Sequence, residues 1–444
     1  MEGTDINSRE NLYKDFELMD SFRIVIYSIL GIFIFFIPIN INGHSNTILY
    51  HIYFFIEEKY IELIKIYIFI MVSIGSIFQM LKYKDKDCDI FSNIIRCVKP
   101  ISILFIFIIF SKKDYNLYSN DSLLFMQDLI LKSVILLSLS SIFMPLIMEY
   151  GLLDIVEAYF HKYMKKNFKL SGKCILNIIV YLFIDTFSGM FMTNKLYKKG
   201  KLRHNEVCIL VSCFSFTSIT NYFYLADELK LESKIVIMIV SLFLSLFSNY
   251  IVCRIWPLKN KKKSYLNKTL YKEKYFKKDR FKNAVRKYLL NKENNKLFSL
   301  IVENFKESFN IIMTILPNLV IIIFIGEFLI NNTGLVNTIS YIIQPIMELL
   351  KLPNKIQLSD SICLSLFNIN RVVKFINNDI ANVSIFIIFI MSIAQTISLT
   401  GNILYSSSID IPLKKVEFII IGIEKLLITL ILVSLVYYLN LIYL

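Results

Sequence analysis

A strongly basic segment between long apolar runs constrains this chain more than any other feature. Residues 259–296 contain 15 Lys and Arg against 3 Asp and Glu, a net charge of +12, whereas the whole chain carries +14. Lys and Arg beside membrane-spanning helices mark the cytoplasmic side, because they resist translocation. The segment therefore predicts a cytoplasmic linker between two membrane halves. Its predicted partners are anionic lipid headgroups, and not nucleic acid.

The apolar runs predict helices in a lipid bilayer. Hydrophobic residues make up 55% of the 444 residues, above the roughly 45–50% of soluble domains. A run of about 20 apolar residues crosses the hydrocarbon layer as a helix, and these runs lack the alternating polarity of membrane β-barrels. The clearest runs are 22–41, 235–255, 310–330 and 416–438. The first lacks a small-residue cleavage site, so we expect a retained helix and not a signal peptide.

The distribution of lysines predicts a re-entrant hairpin. Lysines cluster at 162–173 and again at 195–203, so both segments are predicted to be cytoplasmic. Residues 174–194 would then enter and leave the membrane on the same side, as a hairpin broken at 185–189. The alternative is an ordinary span that starts outside despite the lysines. The predicted spans before it are 22–41, 60–81, 99–110 and 127–148.

The two halves contain similar stretches. Residues 151–173 resemble 334–355, and 215–221 resemble 395–402, at an offset of about 180 residues. Chance similarity between Ile- and Leu-rich stretches is the alternative. A second hairpin at 356–378 would enter from outside, so the repeats would be inverted. The predicted fold is an all-α polytopic integral membrane protein with about nine transmembrane helices plus two re-entrant hairpins in inverted repeats.

This arrangement divides the chain into four units and suggests a function. The predicted units are three N-terminal transmembrane helices at 1–121, a first repeat at 122–258, the basic cytoplasmic linker at 259–296 and a second repeat at 297–444. Inverted repeats with broken helices are typical of secondary transporters, in which substrate binds near the midplane between the repeats.

Asp185 lies at the expected break of the first hairpin. Burying a carboxylate at the centre of a membrane helix costs roughly 3 kcal/mol on insertion scales, so it must be hydrated, paired, protonated or bound to something. It contacts solute or a cation, or it caps the second arm of the hairpin; both roles stay open. Thr186, Ser188, Thr193 and Asn194 supply hydroxyls and an amide nearby.

Two polar streaks interrupt otherwise apolar helices at 215–221 and 395–402. Either they line a shared cavity where the helices unwind, or their hydroxyls bond within their own helices. The predicted substrate-binding residues are Asp185, Thr186, Ser188, Thr193, Asn194, Ser215, Thr217, Ser218, Thr220, Asn221, Asn368, Asn370, Gln395, Ser398, Thr400 and Asn402.

A few other charged residues lie in the apolar runs. Arg371, at the second hairpin, either binds an anionic group or extends to the outer interface. Glu424 and Lys425 are adjacent, so on a helix they point about 100° apart and each needs a separate partner. Lys132 is predicted to be one such partner.

The chain lacks the motifs of soluble enzymes. There is no GxSxG, HExxH, P-loop or GxGxxG motif. The seven cysteines include no CxxC pair and the four histidines are scattered, so we expect no metal site, no cofactor and no enzymatic activity. Coupling to Na⁺ or H⁺ is left open, as is assembly into a homo-oligomer.

Several short stretches carry a family resemblance. They are Met-Pro-Leu at 144–146, Glu-Tyr-Gly-Leu-Leu-Asp at 149–154, Lys-Leu-Ser-Gly-Lys at 169–173, Asp-Thr-Phe-Ser-Gly at 185–189, Thr-Asn-Lys at 193–195, Tyr197, Gly200, Glu206, Arg-Ile-Trp-Pro-Leu at 254–258 and Ile-Pro-Leu at 411–413. From about Pro145 onward the chain resembles the YjiH-like membrane proteins, which carry the nucleoside-recognition or Gate domain. Spore-maturation membrane proteins share that domain, as do, distantly, concentrative nucleoside transporters.

The chain departs from this family pattern in three places. Ile184 and Thr186 replace the glycines that flank the aspartate, Asn368-Ile369-Asn370 replaces an acidic turn, and Lys425 lies near the position of an arginine. The resemblance implies a secondary transporter or permease of a small polar solute, with a nucleoside as the candidate, in a bacterial cytoplasmic (inner) membrane. The alternative is a non-transporting structural or sporulation-related membrane protein that keeps the Gate fold.

Overall fold

The computed structural model describes residues 18–41, 44–82, 99–111, 118–215, 217–229, 231, 234–266, 279–291, 296–367, 372, 382–394 and 411–439. Part of the basic linker, residues 267–278 and 292–295, lies outside these ranges. So do the predicted site residues Asn368, Asn370, Gln395, Ser398, Thr400 and Asn402, together with Arg371.

The described chain is almost entirely helical. The helices of the first half are α1 (Leu18–Phe36), α2 (Ile48–Lys82), α3 (Ile101–Phe110), α4 (Asn120–Met148), α5 (Leu152–Phe168), α6 (Cys174–Phe183), α7 (Thr186–Lys198), α8 (His204–Cys213), α9 (Ile219–Glu228) and α10 (Lys234–Val252). Those that follow are α11 (Arg280–Asn291), α12 (Leu297–Asn332), α13 (Leu335–Leu349), α14 (Lys355–Phe367), α15 (Asn382–Ala394) and α16 (Lys415–Tyr438).

The protein is an all-α integral membrane protein, as predicted. Among the described residues, five helices are long and apolar enough to cross a bilayer: α2, α4, α10, α12 and α16. The number of spans and the inverted relation of the two halves stay predictions.

Two predicted boundaries near the N-terminus were wrong. The helix predicted over 22–41 ends at Phe36, because Pro38–Ile41 (β1) pairs with His44–Thr47 (β2) in an antiparallel hairpin. The helix predicted from residue 60 begins at Ile48 and bends at Tyr60, where φ is −124° and ψ is 21°. The charged residues before Tyr60 suggest a loop, but they lie on the surface of this helix.

A proline in α12 determines how α12 packs against α2. Pro317 has no N–H, so the carbonyl of Met313 lacks its helical donor. The Gln79 side chain supplies the missing donor, with Nε2 at 3.1 Å from Met313 O and 2.9 Å from Thr314 O. The backbones approach closely at Gly75, where an added Cβ would lie 2.1 Å from Met313 O. These contacts fix the two long helices against each other.

The segment after the first lysine cluster is a hairpin, as predicted, and not a continuous span. Helices α6 and α7 have 10 and 13 residues, about 15 and 20 Å long at 1.5 Å per residue, so neither crosses a ~30 Å layer. The arms lie side by side, since Asn177 Nδ2 donates to Thr193 Oγ1 at 2.7 Å. An added Cβ at Gly189 would lie 2.4 Å from the Tyr181 ring.

Ion pairs hold the end of the molecule that is predicted to be cytoplasmic. Lys195, at the end of α7, is 3% exposed; its Nζ lies 2.9 Å from Glu307 and 3.6 Å from Glu303 on α12, and it also donates to Asn304. Glu149 accepts from Lys199 at 2.6 Å and lies 3.9 Å from Lys201. The open end of the hairpin is therefore anchored by charge.

The linker helix α11 also docks through charge and apolar contacts. Lys287 lies 2.7 Å from Glu157 and 3.4 Å from Asp154 of α5, while Val285 and Tyr288 pack against Ile24 of α1. Part of the basic linker is thus bound to the protein.

Candidate functional site

The first hairpin breaks at Ile184 and Asp185. Asp185 is extended and caps α7: its Oδ2 accepts from Phe187 N at 3.0 Å and its Oδ1 from Ser188 N at 3.1 Å. The predicted capping role is therefore confirmed. A carboxylate can accept about four hydrogen bonds, and the cap uses two of them. Because Asp185 is only half-buried, its carboxylate can accept further hydrogen bonds from other partners.

A second break lies in the first polar streak. Helix α8 ends at Cys213 and α9 begins at Ile219, so the streak is unwound where the sequence predicts it. Ser218 caps α9, with its Oγ accepting from Asn221 N at 3.3 Å. Ser215 instead donates to Val211 O at 3.0 Å within its own helix, which is the alternative predicted for such hydroxyls.

Tyr50 joins the two breaks. Its hydroxyl donates to the carbonyl of Ile184 at 2.7 Å and lies 3.1 Å from Ser218 Oγ. The Ile184 carbonyl is at the end of α6 and has no helical partner there. Tyr50 is 1% exposed, so this contact lies in the interior. One residue from α2 thus bridges helix ends that are 134 and 168 residues away along the chain.

Lys132 of α4 borders the same region. Its Nζ donates to Asn221 Oδ1 at 3.2 Å and lies 5.9 Å from the centre of the Tyr50 ring. It also interacts electrostatically with Asp185, Glu57 and Asp128. Its predicted pairing with a charge of the last helix was wrong, because in the described part of the chain its ammonium group donates to Asn221.

The charges of the last helix have separate environments. Lys425 is 1% exposed and its Nζ donates to Cys213 O at 2.9 Å. That carbonyl is the end of α8, where a positive charge complements the helix dipole. This confirms that Lys425 has a structural partner. Glu424 Oε2, in contrast, is buried without a hydrogen bond in the part of the chain that the structure describes.

The predicted residues of the first half divide into two groups. Asp185, Ser218 and Asn221 lie near Tyr50 and Lys132, and Thr220 lies beside the Tyr50 hydroxyl. The residues that remain half-buried in this region are Lys132, Asp185, Thr186, Thr217, Thr220 and Asn221. We refer to these six residues as the polar site.

The other predicted residues of the hairpin are engaged in packing within it or against α4. Thr193 is used inside the hairpin, where its Oγ1 donates to Gly189 O at 2.8 Å. Ser188 accepts from Ser140 of α4 at 2.8 Å, which ties the hairpin to α4. Asn194 is fully buried, and neither atom of its amide has a hydrogen bond within the described residues.

Sequence reasoning missed Tyr50 as a member of the site. Tyr50 is one of 26 tyrosines, and nothing in its neighbours distinguishes it from the others. Lys132 was noted as an intramembrane charge, but its partner was misassigned. A lysine inside an apolar helix was the available indication of a functional position.

The polar site contains both hydrogen-bond donors and acceptors. Lys132 and the threonine hydroxyls donate, while Asp185 and the hydroxyls accept. Within the described ranges, no group of three His, Cys, Asp or Glu side chains could hold a metal ion. The arrangement fits a small polar molecule that carries both kinds of hydrogen-bonding group.

The comparisons with known proteins leave the family open. No family model matches the chain. An uncharacterized protein of Alkalihalophilus pseudofirmus is 22% identical over 298 residues, which cover 66% of this chain and 64% of that protein's own length. A solved structure of a variant of CNTnw, a concentrative nucleoside transporter, in an outward-facing state aligns with 93% of this chain and 99% of that chain, at 9% identity and a TM-score of 0.44.

Proposed function

We propose that the protein is a secondary transporter or permease that binds a small polar solute at the polar site. The observation that carries the proposal is the contact of Tyr50 with both helix breaks. Broken helices in a membrane are tolerated where they line a cavity, and in secondary transporters they form the substrate site. Here two breaks meet beside a half-buried Asp and Lys.

The site is suited to an uncharged solute with several polar groups. Asp185 and Lys132 contribute opposite charges, so the solute need not carry a net charge. A nucleoside has hydroxyls and a heterocycle with donors and acceptors, and is the substrate class we propose. The predicted residues of the second half would complete the site from the other repeat.

The membrane is proposed to be the cytoplasmic membrane of a bacterium. The exposed Phe281 and Lys282 of α11 lie on the side of that helix away from the protein. We propose that they, and the basic residues of the linker that do not pair with the protein, contact anionic lipid headgroups. The proposed activity is transport and involves no enzymatic step.

Uptake of radiolabelled solutes into proteoliposomes tests this function. We expect uptake of one or more nucleosides by the wild type and loss of at least tenfold in Asp185→Asn. Asp121→Asn is the matched control, because Asp121 is exposed at the start of α4 and its replacement should leave uptake unchanged. Absence of uptake for a broad panel of polar solutes would contradict the proposal and favour the structural or sporulation-related alternative.

A further inference from the structure

Lys132 is an unusual choice for the middle of a membrane helix. It follows the apolar stretch Leu129-Ile130-Leu131 of α4, and an ammonium group within a bilayer is costly unless it has polar or charged partners. An apolar side chain at this position would avoid that cost. The lysine therefore requires an explanation in the groups that face it.

The first break places a carboxylate beside the C-terminal end of a helix. Asp185 carries a carboxylate, and the C-terminal end of α6 adds the partial negative charge of its free carbonyls. In other secondary transporters, unwound carbonyls of this kind coordinate the coupling cation. In this protein the Tyr50 hydroxyl donates a hydrogen bond to the Ile184 carbonyl at 2.7 Å. The Lys132 ammonium group lies 5.9 Å from the centre of the Tyr50 ring.

Other charged groups also face Lys132. Glu57 of α2 and Asp128 of α4 both interact with it electrostatically. Asp128 is exposed, and Glu57 interacts with Tyr53 of its own helix. Asp185 is the carboxylate at the helix break itself. Asn221 also holds Lys132 in place, because its side-chain oxygen accepts a hydrogen bond from the ammonium group. Asn221 lies in the first turn of α9, the helix that follows the second break.

We propose that Lys132 is the resident counter-ion of Asp185, so that a positive charge of the chain itself takes the place of a bound metal cation at the two breaks. The part of this inference that concerns transport rests on the proposed function. It implies that solute binding and uptake do not require Na⁺. The part that concerns charge compensation stands on its own and is tested without transport.

Thermal unfolding of the purified full-length protein tests the charge compensation. In choline chloride, Lys132→Met should unfold at a midpoint several degrees below the wild type. Replacing choline with Na⁺ should restore part of the loss in Lys132→Met, because the small cation can enter the vacated position, and should leave the wild type unchanged. The double variant Lys132→Met/Asp185→Asn should recover most of the midpoint, because both charges are then absent.

Lys425→Met is the matched control. Lys425 is likewise a buried lysine in a membrane helix, and among the described residues its ammonium group donates to the backbone carbonyl of Cys213. Its replacement should lower the midpoint without any response to Na⁺ or to Asp185→Asn. If Lys132→Met behaves in the same way as Lys425→Met, or if the double variant is no more stable than Lys132→Met, the proposal is overturned.

Uptake separates this inference from the proposed function. We expect wild-type proteoliposomes to take up solute equally in Na⁺ and in choline. Wild-type uptake that depends on a Na⁺ gradient would overturn the inference and leave the proposed function intact. If no solute is transported, the proposed function fails, whereas the unfolding series still decides whether Lys132 compensates Asp185.

Discussion

The two ends of the first hairpin are held by different chemistry. At its open end, Lys195 is paired with two glutamates and an asparagine of α12, and Glu149 with two lysines. At its tip, neutral hydroxyls of neighbouring helices donate the hydrogen bonds: Tyr50 to the Ile184 carbonyl and Ser140 to Ser188. Removing one partner of a buried ion pair costs about 3–5 kcal/mol, whereas a neutral hydrogen bond contributes about 1 kcal/mol.

The difference indicates which end is built to move. A hydroxyl contact can be exchanged for a contact with solute or water at little cost in free energy, so the tip can open and close. The ion-paired end must stay assembled, because a charge separated from its partner there would be left in a poorly hydrated place. We therefore expect the hairpin to pivot on its charged end while its tip rearranges.

Lys195→Met should give the largest effect on stability. The substitution leaves Glu307 and Asn304 without their cation, and we expect a loss of about 3 kcal/mol in the free energy of unfolding, the low end for buried pairs because Glu303 is 59% exposed. Denaturant unfolding in detergent measures it. Lys198→Met, at an exposed position of the same helix, should change it little; equal losses in both variants would remove the distinction.

Gly189→Ala should separate the arms of the hairpin. The new Cβ would lie 2.4 Å from the Tyr181 ring, and overpacking of this kind costs about 1–3 kcal/mol. A second substitution, Tyr181→Leu, should recover part of that loss by removing the ring. An unchanged unfolding free energy in Gly189→Ala would show that the arms are not packed as described.

Tyr50→Phe should loosen the tip alone. The substitution keeps the ring but leaves the Ile184 carbonyl without a donor, so we expect a loss of about 1–2 kcal/mol. Hydrogen exchange should increase around residues 184–188 and not around 195–199. The control is Tyr159→Phe, since Tyr159 is 49% exposed. Faster exchange at both ends of the hairpin would contradict independent behaviour of the tip.

The smallest effect is expected at Glu149, and it depends on pH. Burial raises the pKa of this carboxyl, but the ammonium groups of Lys201 and Lys199 outweigh burial and hold its pKa below the usual range. A lowered pKa stabilises the folded state above the usual Glu value and loses that contribution as the pH falls through the folded value.

Glu149→Gln should therefore cost about 1 kcal/mol at neutral pH, and the difference from wild type should vanish as the solution is acidified below about pH 4. Unfolding midpoints measured across this pH range provide the test. Glu348→Gln is the control, because Glu348 pairs with Lys355 at an exposed site. A difference that grows on acidification would contradict the assigned direction.

The fold was predictable wherever the indication was local. Lysine clusters on both sides of residues 174–194 predicted the hairpin, and Asp185 marked its break because a carboxylate is rare at such depth. The unwound streak before Ser218 was visible as a run of polar residues. Local composition failed at 57–59, where charges that suggest a loop lie on the surface of α2.

The candidate site was less predictable, because its parts come from distant segments. Tyr50 meets Ile184 across 134 residues and Ser218 across 168, and a tyrosine in an aromatic-rich chain carries no local indication of such contacts. The partner of Lys132 was missed for the same reason. Thr193 resembled a ligand-binding residue in sequence, but its hydroxyl accepts a hydrogen bond from Asn177 of the other arm of the hairpin.

The central claim is that solute binds where the two helix breaks meet, and accessibility of Thr217 tests it most directly. Thr217→Cys would be introduced into a variant whose seven native cysteines are replaced by alanine, with Thr193→Cys, inside the hairpin, as the unreactive control. We predict that a small polar thiol reagent modifies Thr217→Cys, that modification blocks uptake, and that transported solute slows the modification at least severalfold. Modification at the same rate with and without transported solute would contradict the claim.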